Sequence, residues 1–287
     1  MVSHRHWWIC VEIDWVFIMK KNRKELPALG ILKDIKIDIK SLVEYCISQG
    51  LLDTNLYDDI NVTTRADDIK MTRFPLVNGS LDPSSHFNTN KGMQDFTIAN
   101  SYCKESFFKE EEAEFLQSEK YKQLYLTEFD SSKRSKKLSL HETNIFERSR
   151  RLNPEHPSYL PEADEYNYGI RNSLVCGEIE KVLDCFKASL TRVRFANLDA
   201  NFKLKPHLDY DPSYVTRYHI PIKTNKDCLV CVERGGKIIK RHLPADGQVY
   251  FLNTGLKHWA ENNSNENRIH LIVDTKSQED LVSLQEV

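Results

Sequence analysis

The chain has 287 residues and a mass of 33.5 kDa, which is enough for one or two domains with a sizeable core. Its 40 Lys and Arg against 42 Asp and Glu leave a formal net charge of -2, which excludes the strongly basic footprint of a dedicated nucleic-acid binder. With 40% hydrophobic residues, a mean hydropathy of -0.53 and only ten Gly and ten Pro, the composition also excludes disordered, collagen-like and low-complexity classes.

The N-terminal run from His6 to Met19 is rich in Trp, Ile, Val and Phe, but Glu12 and Asp14 interrupt it. It falls short of the roughly 20 apolar residues of a membrane span, and no small-residue cleavage site follows, so neither a membrane segment nor a signal peptide is expected. Residues 1–26 read as an extension: an appended strand, an interaction segment, or sequence upstream of a start at Met19.

Residues 27–52 open with Ile35, Ile37 and Ile39 alternating with charges, the period of a half-buried strand, followed by Leu42, Val43, Cys46 and Ile47 on one helical face up to Gly50. From 86 to 165 an acidic, helix-prone stretch around Glu105–Lys120 gives way to basic residues 133–137 and then to Pro154, Pro157 and Pro161. This segment reads as an insertion or lid with a solvated charged face, and its aromatic residues read as packing residues. Helical periodicity returns from Ile179 to Leu190, with Ile179, Val182, Leu183 and Phe186 on one stripe.

Eight short strands are then expected, at 191–198, 202–209, 215–223, 228–233, 237–243, 247–252, 257–261 and 268–274. With turn residues between them they predict a mainly β fold, a jelly roll or double-stranded β-helix of cupin-like form with supporting helices. The implied organisation is one domain over 27–275, with its catalytic core at 190–275 and a tail at 276–287. The seven cysteines form an odd set whose single CxxC, Cys228 to Cys231, lies in an apolar run that reads as a buried strand. That usage fits a reducing compartment, the cytoplasm.

In the β-rich half, His207 and Asp209 stand at i and i+2, so on a strand they face the same side and can share one ion. His258, from a later strand, would complete a two-His, one-carboxylate set, which caps one face of an octahedral Fe(II) and leaves three positions open. Alone, an HxD is a weak signal. Arg217 and His219, and again Arg268 and His270, are also i and i+2 pairs on strands. Cationic groups aimed into a jelly-roll interior are costly unless an anion neutralises them, so an anionic ligand is implied, and arginine's planar fork suits a carboxylate.

The run Lys205-Pro206-His207-Leu208-Asp209, the following Arg217-Tyr218-His219-Ile220-Pro221, the strand Gly247–Asn253, and His258 with Arg268 ten residues on before Ile269–Asp274 resemble the aspartyl/asparaginyl β-hydroxylase family of Fe(II)- and 2-oxoglutarate-dependent oxygenases. The free-amino-acid branch that includes bacterial proline cis-4-hydroxylase is the nearer likeness. The resemblance covers about 180–275 and, more faintly, 29–49. It implies His207, Asp209 and His258 as iron ligands and Arg268 as the clamp on the distal carboxylate of 2-oxoglutarate, with Arg217 and His219 helping to bind that cosubstrate near its chelating end. Asn253 departs from the family, where Asp is common. The implied reaction couples O2 and decarboxylation of 2-oxoglutarate to succinate with hydroxylation of an unactivated C–H bond.

Other classes stay open: a jelly-roll binding module without turnover, and a zinc-dependent hydrolase or isomerase on a cupin-like barrel, which would not need inward arginines. The expected substrate is a free amino acid, whose carboxylate Arg192 or Arg194 would hold unless those arginines form internal salt bridges. A peptide substrate is the alternative.

Overall fold

The computed structural model describes residues 20–57, 120–133 and 165–287; the run 1–19, most of the 86–165 stretch, and Cys10 and Cys103 lie outside the described residues. Strand β1 (Leu29–Lys36) leads into helix α1 (Ile39–Ser48). Asp38 caps α1, its Oδ1 accepting from the Ser41 amide at 3.1 Å, and Gly50, with φ +68, follows the last turn where a left-handed residue is needed. Strands β2 (Tyr121–Tyr125) and β3 (Thr127–Glu128) come next, then β4 (Ile170–Arg171), helix α2 (Gly177–Leu183) and β5 (Leu190–Leu198). The remaining strands are β6 (Phe202–Lys203), β7 (Thr216–Lys223), β8 (Cys228–Arg234), β9 (Lys237–Arg241), β10 (Gln248–Leu252), β11 (His258–Asn262), β12 (Arg268–Thr275) and β13 (Leu284–Glu286).

These strands make a seven-stranded sheet in the order β13-β1-β10-β7-β12-β5-β2 and a four-stranded sheet in the order β6-β11-β8-β9, with all pairs antiparallel. The fold is the expected double-stranded β-helix. The large sheet is covered on both faces, so its strands lose the exposed half of the usual alternation: every residue of β12 and all but the last of β7 are buried. One face, with Tyr218, Ile220, Phe251, Leu271 and Val273, packs against α1 and α2 through Leu42, Cys46, Ile179 and Leu183. On the opposite face, Leu29, Tyr250 and Leu252 meet Val230 and Val232 of the small sheet. The middle of that inner face carries Arg217, His219, Arg268 and His270 instead of apolar side chains, and there the site lies.

Several expected elements differ from the structure, among them the 276–287 tail, whose Leu284–Glu286 is the edge strand β13 of the large sheet, paired with β1. Strand 202–209 is regular only at Phe202–Lys203, with His207 forming an isolated bridge to His258. The helix expected to reach Leu190 stops at Leu183, because buried Asp280 takes the amides of Lys187 and Ala188 at 2.8 and 3.2 Å and holds the chain in a non-helical path. Within the 86–165 stretch, β2 is an edge strand of the main sheet paired with β5. Asn253 holds the N-terminal lead of β1: its amide lies within hydrogen-bond distance of the carbonyls of Arg23, Leu26 and Pro27 at 3.0, 3.4 and 3.1 Å, a donor role that an ionised Asp could not fill.

Leu271, fully buried between the large sheet and the helices, is a direct test of this packing. Leu271→Ala is expected to lower the unfolding free energy by about 2–5 kcal/mol in urea titrations, whereas Leu208→Ala, at a side chain 59% exposed, should change it by less than about 0.5 kcal/mol.

Candidate metal centre

His207 and His258 face each other as a bridge pair, each donating its amide to the other's carbonyl, at 3.0 Å (His207 N–H) and 2.9 Å (His258 N–H), with ring centroids 4.4 Å apart. Asp209 is tethered by its amide to the Thr254 carbonyl at 3.0 Å. The backbone thus brings the three side chains together although only His258 sits in a regular strand. One ligand atom from each lies within 4.8 Å of the others, with Asp209 Oδ2 4.0 Å from His207 Nε2 and 3.8 Å from His258 Nε2.

The donor chemistry fits a metal. Nδ1 of His207 lies 2.8 Å from the Lys205 carbonyl and Nδ1 of His258 2.9 Å from the Leu256 carbonyl. A carbonyl can only accept, so each Nδ1 carries the proton and each Nε2 keeps its lone pair for a cation. His258 is buried and burial pulls its pKa down to about 4, against the opposing pull of Asp209, so it is a neutral ligand at pH 7. Burial works against the charge of Asp209, but Arg217, then His258 and His207, outweigh it and hold the carboxyl well below its usual range.

The predicted arginines divide into two kinds. Arg217 is buried and ion-paired: Nε and Nη2 donate to Asp274 Oδ1 and Oδ2 at 2.8 and 3.0 Å, and Nη1 donates to Asp209 Oδ2. Arg194 donates from Nη1 to Asp274 Oδ2 at 3.0 Å and to the Arg192 carbonyl at 2.7 Å. The interior positive charge read from the sequence is therefore compensated in part from within the chain, by Asp274. Its signal was the even spacing 268, 270, 272, 274, which places it on the same face as Arg268 and His270.

Arg268 is the other kind. It is buried, and burial pulls its guanidinium pKa down from the ordinary value, yet it forms no ion pair among the described residues. Its Nε and Nη2 lie 3.0 and 2.7 Å from the two ring nitrogens of His270, and a neutral imidazole accepts at only one of them. His270 Nδ1 is in turn 3.3 Å from His219 Nδ1, while His219 Nε2 is buried without a hydrogen-bond partner. Buried polar groups are normally satisfied, so unspent donors on a buried cation beside an orphaned imidazole nitrogen fit an anionic ligand at this position.

Arg192 takes a third position. Opposite Ile272 and Asp274, β5 carries one extra residue, and Arg192 there has φ +44, a left-handed conformation uncommon for a side chain other than glycine. Its guanidinium lies 3.2–3.3 Å from the hydroxyl of Tyr125, which pairs with Arg194 across β2 and β5 and so shares the inner face. The sequence reading counted Tyr125 among the packing aromatics of the 86–165 stretch, because nothing local shows that its strand joins the main sheet.

The metal-free protein should show a definite pH dependence. Burial, followed by the nearby Arg268, holds His219 and His270 well below the ordinary histidine pKa, and His258 is likewise depressed. In the unfolded chain these groups titrate near 6.5, so between that value and their folded pKa values the unfolded state binds more protons. Their contribution is complete above about pH 6.5 and is lost progressively as the pH falls, that of His258 by about pH 4. Each group that protonates only on unfolding should add a slope of about 1.4 kcal/mol per pH unit in urea titrations over that window.

No curated protein sequence matches the chain. Among solved structures it is similar to a 2OG-Fe(II) oxygenase family oxidoreductase from Burkholderia pseudomallei, at 12% identity and TM-score 0.31 over 55% of this chain and 69% of that one. It is similar to a cupin domain from Bordetella pertussis at 14% identity and TM-score 0.25, over 32% of this chain and 88% of that one. A third likeness is oxalate decarboxylase from Bacillus subtilis, at 13% identity and TM-score 0.25 over 31% and 21%. Likenesses this remote say nothing of what this chain binds or does. The family comparison is of a different order: the match runs over residues 99–278, more than half of the chain, and takes in much of the 86–165 stretch as well as every residue of the site. The chain belongs to the aspartyl/asparaginyl β-hydroxylase family.

Proposed function

We propose that the protein is an Fe(II)- and 2-oxoglutarate-dependent dioxygenase that hydroxylates a free amino acid or a closely related small zwitterion. The observation that carries this reading is the combination of an open two-His, one-carboxylate donor set with a buried arginine, Arg268, that has no ion pair among the described residues. A zinc hydrolase would use the first feature and has no need of the second. Family membership supports hydroxylation as the reaction class.

In this reading His207 and His258 would offer Nε2, and Asp209 its carboxylate, as three protein ligands to the ion. Bound there with 2-oxoglutarate, Fe(II) supplies O2 activation coupled to decarboxylation of the cosubstrate to succinate. Arg268 holds the distal carboxylate with a two-point grip that also fixes its direction, and His219 adds a polar contact from the neighbouring strand. His258 lies on the closed side of the site, whereas the His207 side chain is 42% exposed, so substrate approaches from the His207 side.

Arg192 supports the substrate class. A bulge in a left-handed conformation costs about 1–3 kcal/mol and is kept where it re-aims a side chain, here a guanidinium set on the inner face beside Tyr125. In this reading it takes the α-carboxylate of an amino acid. The free thiols of Cys46, Cys176, Cys185, Cys228 and Cys231 fit an enzyme of the reducing cytoplasm.

The test is succinate release by the purified full-length protein with Fe(II) and 2-oxoglutarate over a panel of free amino acids, with mass spectrometry to detect the gain of one oxygen. At least one amino acid should stimulate turnover, and His258→Ala should abolish it with little change in the fold. Stimulation by acidic peptides and by no free amino acid would replace this reading with a protein hydroxylase.

Arg268→Lys is expected to raise the KM for 2-oxoglutarate about tenfold or more, since losing one charge-assisted hydrogen bond costs about 1.5–3 kcal/mol. Arg192→Ala should raise the KM for the amino acid by a similar factor and leave that for 2-oxoglutarate little changed. An unaltered amino-acid KM would remove Arg192 from the substrate site.

A further inference from the structure

We propose that Asp274 is a positioning residue for the metal-binding carboxylate of Asp209, acting through Arg217; this rests on the metal reading of the site given above. Asp274 ends the inner-face series of β12 and is completely buried. Its two oxygens accept Nε and Nη2 of Arg217 at 2.8 and 3.0 Å, a fork that leaves the guanidinium plane no freedom to rotate. The remaining terminal nitrogen, Nη1, is thereby aimed at Asp209 Oδ2, to which it donates. Asp274 Oδ2 also accepts from Arg194 at 3.0 Å, an ion pair that lies outside the fork and does not set the direction of Arg217.

Asp209 needs such a hold. It lies outside the regular strands, its amide bond to Thr254 fixes the backbone but not the carboxylate, and its side chain is 29% exposed. The two histidines are oriented by carbonyls on their own segments, two residues before each. Arg217 serves the same purpose for the third ligand, and Asp274 sets Arg217.

Charge requires Asp274 as well. Arg217 and Arg194 bring two positive charges, and Asp274 and Asp209 bring two negative ones, so these four ion-paired groups balance, with Arg192 a further positive charge close enough to act on Asp209 and both arginines. Without Asp274, two buried guanidinium charges would face Asp209 alone, and Arg217 would be free to turn a second N–H onto the oxygens that a divalent cation must use. Asp274 therefore limits the arginine to a single hydrogen bond on Asp209 Oδ2 and leaves the other lone pairs of the carboxylate for a cation.

The experiment is Mn(II) binding by the full-length protein, followed by isothermal titration and by the electron paramagnetic resonance signal of free Mn(II), which needs no turnover. Asp274→Asn is expected to weaken Mn(II) binding by about 10–100-fold, the usual effect of losing a group that orients a ligand. Arg194→Met removes a buried ion pair of the same carboxylate but keeps the fork, so its Mn(II) affinity should match wild type even though its melting temperature falls.

Since Asp274→Asn leaves an extra buried positive charge and can impair folding, the double variant Asp274→Asn with Arg194→Met restores the balance of charge. It should fold, by near-ultraviolet circular dichroism, and still bind weakly. Wild-type affinity in that double variant overturns the proposal, as does an equal loss in Arg194→Met, which would mean that any damage to the buried cluster loosens the site. Failure of the wild-type protein to bind Mn(II), or unchanged binding in His258→Ala, overturns the metal reading itself and this inference with it.

Discussion

A single carboxylate with no contact to solvent, Asp274, organises the polar centre of this jelly roll. It draws Arg217 from β7 and Arg194 from β5 onto one point of β12, so three adjacent strands of the large sheet are cross-linked by charge where their neighbours are cross-linked by apolar packing. Buried charges are tolerated only when paired and hydrogen-bonded, and this group meets that condition with little to spare: Arg194 Nε has no partner at all. The arrangement places a fixed dipolar scaffold beneath the candidate metal ligands, and Asp209 reads its position from that scaffold through Arg217.

The opposite half of the inner face obeys a different rule. Arg268, His270 and His219 are buried together with donor capacity to spare and no carboxylate in reach among the described residues. All three groups are displaced toward their neutral forms by burial, a standing cost to the folded state. The site thus contains one charge cluster that is closed on itself and one that is left open. The closed one holds Asp209 through Arg217, and the open one is where an anion would lower the energy of the protein.

The strand boundaries of the C-terminal half were legible because both faces of the large sheet are covered, giving apolar runs with Gly, Pro, Asn and Asp between them. Even spacing on a strand also made the pairs Arg217 with His219 and Arg268 with His270 legible as inward-facing. The pairing of His207 with Asp209 by the same alternation reached the right neighbours by an incomplete route: the segment is not a ladder strand there, and a single bridge to His258 with an amide tether at Thr254 does the placing. The short α2 was misjudged because the tertiary hydrogen bonds that end it come from Asp280, nearly a hundred residues away in sequence.

Periodicity in the sequence determined the fold class and the inward face of Arg268, residue chemistry offered His207, Asp209 and His258 as metal-ligand candidates, and the family resemblance gave these residues their expected roles. Only the tertiary structure decided which cations are free to meet a ligand. Arg194, Arg217 and Arg268 are alike as letters, each a buried arginine on an inward face, and nothing local separates them. The separation comes from register: Asp274 stands across from Arg217 and is within reach of Arg194 because β5, β7 and β12 pair side by side, while Arg268, at the far end of β12, stands across from Leu198. Neutralisation of a buried charge is a contact between strands, and strand order is fixed by the packing of the whole sheet, not by any segment of it.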